Sequence, residues 1–406
     1  MSSRIVVTGI GIVSSIGVGH AAFWKSLTAG RSGISTVSSF DTSQYSVNVG
    51  GEVKSFEPDA HIQRLESSEI GRASQFAIAA ARMALLDADV DPDTLEPGSA
   101  GVSMGTTSGE PNQIEDFDDH YIAEDFNGIS EDFISTYPCH AISGHVASEL
   151  KFSGSNIMIP AACAAGTYAI AHAFDELRGG RTRFMLAGGA DSFSRITYSG
   201  FARLLAIAQE KCQPFDKNRK GMIPGEGAAI LCLEPLESAT ARDAKIYAEV
   251  AGYGLSCDAY HMTGAHPDGT GAARAMEQAL SQSELTPGDI DYISAHGTGT
   301  KSNDLHETTA VKQVFGGEAY TTPISSIKSM LGHTMGAASA IESAVCALAI
   351  TNGCIPPTIN FEEPDPECDL DYVPNVARDG RIDVAMNNAY AFGGTNASLI
   401  MKKCEV

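Results

Sequence analysis

The feature that most constrains the fold of this chain is an alternation of short strand-like runs with amphipathic helical stretches. Apolar and β-branched runs include RIVVTG, GVSMGT, NIMIPAA, RFMLAGGA and AAILCLE, followed after residue 235 by IYAEVAGYG, DIDYISAHG, TPISSIK and ASLIMKK. Between them lie stretches such as SQFAIAAARMALLDA and TGAARAMEQALSQSEL, in which apolar residues recur at three and four positions. This alternation predicts a layered α/β fold.

A weak break falls near residues 235–250, where EPLESATARDAKIYAEV ends one βα series and begins another. We therefore predict an N-terminal half, residues 1–245, and a C-terminal half, residues 246–406. Two similar halves around one core fit this pattern.

Composition excludes several classes of function. A formal charge of −23 argues against nucleic acid and anionic membranes as partners, because both require concentrated Lys and Arg. We see no apolar run approaching a membrane span of roughly 18 residues and no leader before the first strand-like run. Nine cysteines without a CxxC pair suggest a reducing compartment. We therefore expect a cytoplasmic protein.

One segment differs from the rest of the chain in charge. Residues 110–132 contain nine carboxylates and no Lys or Arg. The simplest interpretation is a solvated excursion at the surface.

Cys163 is the first candidate for chemistry. In SNIMIPAACAAGTYAIAHAFDEL it lies where a buried-type strand gives way to a helix beginning near Ala165. Free N–H groups and the positive end of the helix dipole favour a thiolate at such a junction, and small neighbours permit a sharp turn. A lone cysteine is more often a core residue, so a catalytic Cys163 requires partners.

Two histidines at strand ends are the candidate partners: His296 in DYISAHGTGTKSND and His333 in ISSIKSMLGHTMGAASA. Open α/β sheets gather their active sites at strand ends, so both imidazoles could reach one crevice. Lys328 lies five residues before His333, and the apolar stretch ASAIESAVCALAI contains one charged residue, Glu342. A buried glutamate requires a partner, and Lys328 is the candidate.

A glycine turn, Gly393 and Gly394, separates two apolar runs near the C-terminus. It predicts either an ordinary β-hairpin or a turn that brings N–H groups to Cys163 as part of an oxyanion hole. The run VTGIGIVSSIG lacks the GxGxxG spacing of a dinucleotide site. Because no His or Cys cluster has zinc-site spacing either, we expect no metal.

These motifs together resemble the β-ketoacyl-acyl-carrier-protein synthases, the condensing enzymes of fatty-acid and polyketide assembly. The resemblance runs from RIVVTGIG through AACAAG, PFDKNRKGMIPGEGAA, DAYHMT, AHGTGTKSND, IKSMLGHTMGAA and FGGTNAS. It implies the thiolase fold, in which two similar α/β halves form a five-layered αβαβα core, usually as a dimer through strands of the first half. The third of the chain nearest the C-terminus is closest to the ketosynthase subunit of aromatic type II polyketide systems.

The resemblance also implies roles for individual residues. Cys163 would accept the acyl group, while His296 and His333 bind the malonyl thioester and Lys328, Glu342 and Asp304 support them. Backbone N–H groups of Cys163 and Phe392 would form the oxyanion hole, with Phe392 as the gate beside Gly393 and Gly394. Thr298, Thr300 and Thr263 would contact the phosphopantetheine arm, which arrives on the acyl carrier protein, and no other cofactor is expected.

The same resemblance leaves the pathway and the partner subunit open. The chain could pair with a chain-length-factor homologue, act as a homodimeric fatty-acid elongation enzyme, or be a non-condensing scaffold; a thiolase acting on coenzyme A thioesters would require a second cysteine at the glycine turn. Ala391 replaces a glycine usual beside the gate in fatty-acid enzymes, and ACAAG departs from GCTSG of aromatic polyketide subunits. For carrier-protein docking we predict either the cations Lys211, Lys217, Arg219 and Lys220 or a partner subunit.

Overall fold

The computed structural model describes residues 3–405. The strands are β1 Ile5–Ser14, β2 Gly17–Val18, β3 Ser35–Thr36, β4 Val49–Gly50, β5 Ala100–Gly105, β6 Asn156–Ile159, β7 Phe184–Asp191, β8 Gly227–Pro235, β9 Ala248–Cys257, β10 Tyr292–Ser294, β11 Ile324–Ser325, β12 Cys354–Ile355, β13 Arg378–Asp379, β14 Val384–Tyr390 and β15 Thr395–Lys402. The α-helices are α1 His20–Thr28, α2 Arg72–Asp87, α3 Pro111–Ile122, α4 Phe133–Thr136, α5 His140–Leu150, α6 Ala165–Arg178, α7 Arg195–Arg203, α8 Leu236–Ala241, α9 Thr270–Ser283, α10 Lys301–Phe315, α11 Lys328–Leu331 and α12 Ala338–Asn352.

The main sheet contains one five-strand pattern twice. Its order is β11-β10-β14-β15-β9-β1-β8-β7-β5-β6, with β2 paired to β1. In the first half β5 is parallel to β6 and β7, while β8 is antiparallel to β7 and β1. In the second half β10 is parallel to β11 and β14, while β15 is antiparallel to β14 and β9. The prediction of two similar α/β halves is therefore confirmed.

Helices complete five layers. Helices α2 and α5 pack on the outer face of the first half, and α9 and α10 pack on that of the second. Helices α6 and α12 lie in the middle, where they contact each other and strands of both halves. This is the αβαβα arrangement that the resemblance implies. The boundary at residues 245 and 246, between α8 and β9, remains a prediction.

Glycine allows the layers to approach closely at two places that determine the architecture. A Cβ at Gly11 of β1 would lie 1.8 Å from the carbonyl oxygen of Ala80, so only glycine lets the first strand pack on α2. A Cβ at Gly166 would lie 2.5 Å from the backbone nitrogen of Ala340. Gly166 and Ala340 are in the first turns of α6 and α12, so their contact draws together the chain segments that precede these helices.

The middle layer corrects one expectation about membranes. The helical stretch Met335–Asn352 is long and apolar enough to cross a bilayer, with a mean hydropathy of 1.2, whereas no such run was expected. However, 89% of the stretch is buried inside the protein, as in a core helix of a soluble protein. Packing between the two halves of the main sheet explains its apolar composition.

The acidic segment lies at the surface, with one exception. Seven of its nine carboxylates are exposed and Glu115 is half-buried, mostly around α3 and α4. Glu110 is fully buried and accepts hydrogen bonds from the backbone N–H groups of Ala73 and Ser74 at the start of α2. Burial raises the pKa of Glu110 to about 7. The simple surface interpretation was therefore wrong for this residue, which caps a helix.

Candidate active site

Cys163 lies on a strained turn between β6 and α6. The preceding residue, Ala162, has a φ of +48°, a left-handed conformation that costs energy for a residue with a side chain. Residues Ala162–Ala164 form a 3₁₀ turn that leads into α6 at Ala165. This strand–turn–helix geometry directs the thiol out of the sheet, as in the nucleophile elbow of hydrolases.

The second half repeats this turn. Met335 has a φ of +52°, and Met335–Ala337 form a 3₁₀ turn that leads into α12 at Ala338. Gly336 is thus the counterpart of Cys163 in the duplicated fold, and His333 lies just upstream. Because α6 and α12 meet in the middle layer, the duplication itself brings Cys163 and His333 together.

Cys163, His296 and His333 converge at one point. The Sγ atom of Cys163 and one ring nitrogen of each histidine all lie within 4.8 Å of one another. The two imidazole rings meet edge to face, with centroids 5.4 Å apart and an angle of 80° between their planes. All three side chains are buried.

Lys328 lies directly behind the histidines. It is 1% exposed and forms an ion pair with the equally buried Glu342. Its Nζ is 3.4 Å from Nδ1 of His296. The structure therefore places a fixed positive charge beside both imidazoles, held there by a carboxylate on α12.

Burial and this charge keep the histidines neutral. The pKa of His296 and that of His333 are both lowered well below the ordinary value, first by burial and then by the Lys328 charge. The Lys328 ammonium faces Nδ1 of His296, and the Met335 backbone N–H donates to Nδ1 of His333 at 3.2 Å. An Nδ1 that accepts a hydrogen bond leaves the proton of a neutral imidazole on Nε2. Each ring can therefore donate from Nε2.

The Cys163 thiol does not have the lowered pKa suggested by its place at a helix N-terminus. Burial raises its pKa to about 12, although the Lys328 charge opposes the shift. Removal of the thiol from water outweighs the helix dipole and the nearby cation. The resting protein accordingly holds a thiol, whose proton must leave during reaction.

Cys163 opens into a cleft of about 710 Å³, including its mouth. His296, His333 and Phe392 line the cleft, together with the threonines of the predicted arm-binding set, Thr263, Thr298 and Thr300. Phe392 is 43% exposed, and its ring lies 5.9 Å from that of Phe201 across the mouth. An aromatic side chain thus stands at the entrance and hydroxyl groups follow the wall.

The glycine turn joins β14 and β15 in an antiparallel hairpin. Gly393 and Gly394 have φ values of +86° and +75°. The Gly393 N–H donates to the Met262 carbonyl, and the Gly394 carbonyl accepts from the Asp258 N–H. The turn beside Phe392 is therefore bonded to the neighbouring 258–264 loop.

Asp304 and Glu307, both buried on α10, hold the loop that follows β10. Asp304 accepts hydrogen bonds from the N–H groups of Phe215 and Gly299, and Glu307 accepts from those of His296 and Gly297. Burial raises the pKa of Glu307 to about 8. The supporting role predicted for Asp304 is thus joined by one for Glu307, which nothing in the sequence singled out.

The predicted carrier-docking cations are not a free basic cluster. Arg219 is 4% exposed, bonded to Asp365 and 3.6 Å from Asp304, so it was wrong to place it on a docking surface. Lys211 and Lys217 form ion pairs with Glu362 and Glu363. Lys220 alone of the four is exposed without an ion pair among residues 3–405. Buried and neighbouring carboxylates neutralise most of this cluster.

Asp191 is a further site residue that sequence patterns did not indicate. It is fully buried and accepts hydrogen bonds from the Thr106 hydroxyl and from the N–H groups of Thr107, Ser108 and Gly336. Burial raises its pKa to about 6. Asp191 ends β7 and so ties the first half to the turn after His333. An aspartate at the end of a buried strand was the available signal.

Two other polar residues of the cleft wall, Asp258 and Asn396, were also missed. The Asn396 amide donates to Asp258 at 2.7 Å. Asn396 follows the glycine turn, so the motif FGGTNAS contained it. Cys163, His296 and His333 are also close enough to share one cation; the expectation of no metal remains a prediction.

Comparison with protein families gives two matches. The family model described as "Beta-ketoacyl synthase, N-terminal domain" matches residues 2–239, and "Beta-ketoacyl synthase, C-terminal domain" matches residues 247–362. A 3-oxoacyl-[acyl-carrier-protein] synthase 2 of Synechocystis sp. is 41% identical, with 98% of each chain covered. The tetracenomycin polyketide synthase ketoacyl synthase alpha subunit of Streptomyces glaucescens is 40% identical, with 98% of this chain and 97% of that protein covered.

Solved structures agree with these matches. The ishigamide ketosynthase/chain length factor superposes with a TM-score of 0.96 at 42% identity, covering all of both chains. AntDE:AntF, a type II polyketide synthase acyl-carrier protein in complex with its ketosynthase bound to the hexaketide, superposes with a TM-score of 0.92 at 33% identity, again over both whole chains.

Proposed function

Because this chain belongs to the β-ketoacyl synthase family, we propose that it catalyses the decarboxylative condensation of a malonyl thioester with an acyl group held on Cys163. The observation that carries the proposal is the convergence of one thiol and two neutral imidazoles within 4.8 Å in a single cleft. The thiol is the nucleophile that accepts the acyl group. The neutral imidazole N–H groups stabilise an enolate by donating hydrogen bonds to its oxygen.

The first step is acyl transfer. The Cys163 sulfur attacks the carbonyl of an acyl thioester, a new C–S bond forms and the old one breaks. The Cys163 proton passes to the departing thiol, so the step is balanced. The positive ends of α6 and α12 and the Lys328 charge stabilise negative charge on the sulfur as the proton leaves. The N–H groups of Cys163 and Phe392 receive the oxyanion of the tetrahedral intermediate.

The second step is decarboxylation and condensation. His296 and His333 donate from Nε2 to the carbonyl oxygen of the malonyl thioester. The bond to the carboxyl carbon breaks, CO₂ leaves, and the electron pair forms an enolate whose oxygen these donors hold. The enolate carbon then attacks the acyl carbon on Cys163, the C–S bond breaks, and the departing Cys163 thiolate takes up a proton from solvent. Neutral imidazoles suit this step because the lowered pKa values keep Nε2 a donor throughout.

The remaining residues hold these groups in place. Lys328 sits at Nδ1 of His296 and is paired with Glu342, while Asp304 fixes the loop after β10. Phe392 gates the entrance, and Gly393 and Gly394 give its turn the required left-handed backbone. Ala391 in place of a glycine restricts the turn on the other side of Phe392 and so affects which acyl chains enter.

The substrate arrives on an acyl carrier protein. Its phosphopantetheine arm contacts Thr298, Thr300 and Thr263, which line the same cleft as the histidines. The arm is the carrier's own group, and the synthase requires no other cofactor. Both the acyl-carrier complex and the ketosynthase with its chain length factor have precedents among related structures.

The chain acts in the cytoplasm as the ketosynthase subunit of a type II polyketide or fatty-acid system. It pairs either with a chain-length-factor homologue or with a second copy of itself. Relatives of nearly equal identity come from both kinds of pathway. A non-condensing scaffold subunit would not need the complete set of Cys163, His296 and His333.

The test is a substitution of the nucleophile with a matched control. Cys163→Ala should abolish formation of the 3-ketoacyl carrier product, because no acyl-enzyme can form. Cys232→Ala, at another buried cysteine in β8, should retain it. Product formation by Cys163→Ala at the parent rate would reject the proposed function.

A further inference from the structure

Tyr390 lies beside the reacting groups but has no part in the mechanism above. It ends β14, two residues before Phe392, and lines the cleft. The side chain is 8% exposed. Its ring packs against the His296 ring at a tilt of 68°, with centroids 5.8 Å apart. Tyr390 therefore adjoins the imidazole that holds the malonyl carbonyl.

The Tyr390 hydroxyl is buried and has no hydrogen-bond partner among residues 3–405. A buried hydroxyl without a partner is costly, and a phenylalanine would fill nearly the same volume without that cost. The carboxyl groups that act electrostatically on the hydroxyl, Asp258 and Glu307, already bind other donors. Asp258 accepts from Asn396 and His266, and Glu307 from the backbone of residues 296 and 297.

We propose that the Tyr390 hydroxyl donates a hydrogen bond to the carboxylate of the malonyl group and so determines specificity for the extender. The inference rests on the proposed function. The malonyl carboxyl carbon is separated from the thioester carbonyl carbon by a single methylene carbon. With that carbonyl on Nε2 of His296, the carboxylate lies within reach of a side chain packed on the same ring. An anionic oxygen is the acceptor that a neutral hydroxyl binds most strongly.

This interaction acts on binding more than on the chemical step. The hydrogen bond is present in the bound substrate and is retained in the transition state, in which the carboxylate has not yet become CO₂. An interaction that is not strengthened in the transition state lowers KM without raising kcat. The acylation of Cys163 involves no carboxylate and does not depend on Tyr390.

The experiment compares Tyr390→Phe with wild type and with Tyr372→Phe, using the synthase together with any partner subunit that the wild type requires. Tyr372 belongs to the same apolar cluster as Tyr390, but its hydroxyl bonds Thr308 and lies outside the cleft. The measurements are KM and kcat for malonyl carrier protein at saturating acyl carrier protein, the rate of Cys163 acylation by mass spectrometry, and the unfolding midpoint in urea.

For Tyr390→Phe we expect KM for malonyl carrier protein to rise about tenfold and kcat to stay within about twofold. Acylation should be unchanged, and the unfolding midpoint should be equal or higher because the lost hydroxyl had no partner. For Tyr372→Phe the midpoint should fall and the kinetics should be unchanged. The inference would be overturned if KM for malonyl carrier protein were unchanged in Tyr390→Phe. It would also be overturned if the rate of Cys163 acylation fell by the same factor as KM rose. Failure of the wild type to condense at all would refute the proposed function, and this inference with it.

Discussion

Replacing Lys328 with methionine tests the electrostatics of the site most sharply. Methionine fills much of the same volume but leaves Glu342, 1% exposed, without its ion partner. Breaking a buried ion pair from one side costs about 3–5 kcal/mol, because an uncompensated charge stays in the interior. We therefore expect Lys328→Met to lower the free energy of unfolding by about that amount near neutral pH.

The loss should depend on pH with a definite sign. Burial raises the pKa of Glu342 from 4.5 to about 7, although the Lys328 charge opposes the shift. A carboxyl whose pKa is raised by folding contributes most stability while it is protonated, and that contribution is lost as pH rises toward the folded value. Without Lys328 the folded pKa is higher still, so the loss continues above pH 7. The deficit of Lys328→Met relative to wild type should therefore be constant between about pH 5 and about pH 7, where both proteins lose stability equally, and should grow above about pH 7.

Urea unfolding at several pH values measures this, with Glu342→Gln and the double variant completing a cycle. The double variant should recover about 2 kcal/mol relative to Lys328→Met, because a neutral amide replaces the unpaired carboxylate. A deficit below about 1 kcal/mol, or one that shrinks as pH rises, would refute the argument that Lys328 and Glu342 are a buried charged pair.

Three further predictions concern the turn, the buried carboxylate and the basic cluster. Gly394→Ala should lower the free energy of unfolding by about 1 kcal/mol or more beyond the loss in Gly393→Ala. Both glycines have positive φ, but only a Cβ at Gly394 would meet a neighbouring side chain, at 2.8 Å. Equal losses of the two variants in thermal melts would contradict this. Asp191→Asn should lower the free energy of unfolding by about 2 kcal/mol, since the amide nitrogen that replaces one oxygen cannot accept from the two donors which that oxygen binds, and wild-type stability should fall from about pH 4 to about pH 6 as this raised carboxyl ionises; a flat profile in which Asp191→Asn matches wild type would argue against it. Arg219→Ala should lower the free energy of unfolding by about 3 kcal/mol and Lys220→Ala by about 0.5 kcal/mol or less, measured by urea unfolding. The reverse order would indicate that Arg219 is exposed at the surface.

Sequence patterns indicated much of the fold because strand-like runs and helical periodicity reflect local burial. The hairpin at Gly393 and Gly394 and the two-half architecture are examples. The sequence patterns could not reveal the repeated left-handed turns at Ala162 and Met335, because alanine and methionine carry no signal for positive φ. That duplication, rather than any single motif, places His333 opposite Cys163.

Within the site, strand ends identified Cys163 and His296, because residue types at the ends of buried strands are visible in the chain. The burial of each site residue and the charges around it could not be inferred from the sequence in the same way. The helix N-terminus suggested a lowered thiol pKa for Cys163, whereas burial raises it. The prediction of a docking surface was wrong for Arg219, because its buried partners Asp304 and Asp365 lie far away in sequence.

The most direct test of the central claim is intact-protein mass spectrometry of the purified chain with an acyl carrier protein thioester, followed by addition of malonyl carrier protein. We expect an acyl adduct on Cys163, then its loss together with appearance of a 3-ketoacyl carrier product, with a chain-length-factor homologue supplied if the chain alone makes none. An adduct on another residue, or product formed while Cys163 remains unacylated throughout, would contradict it.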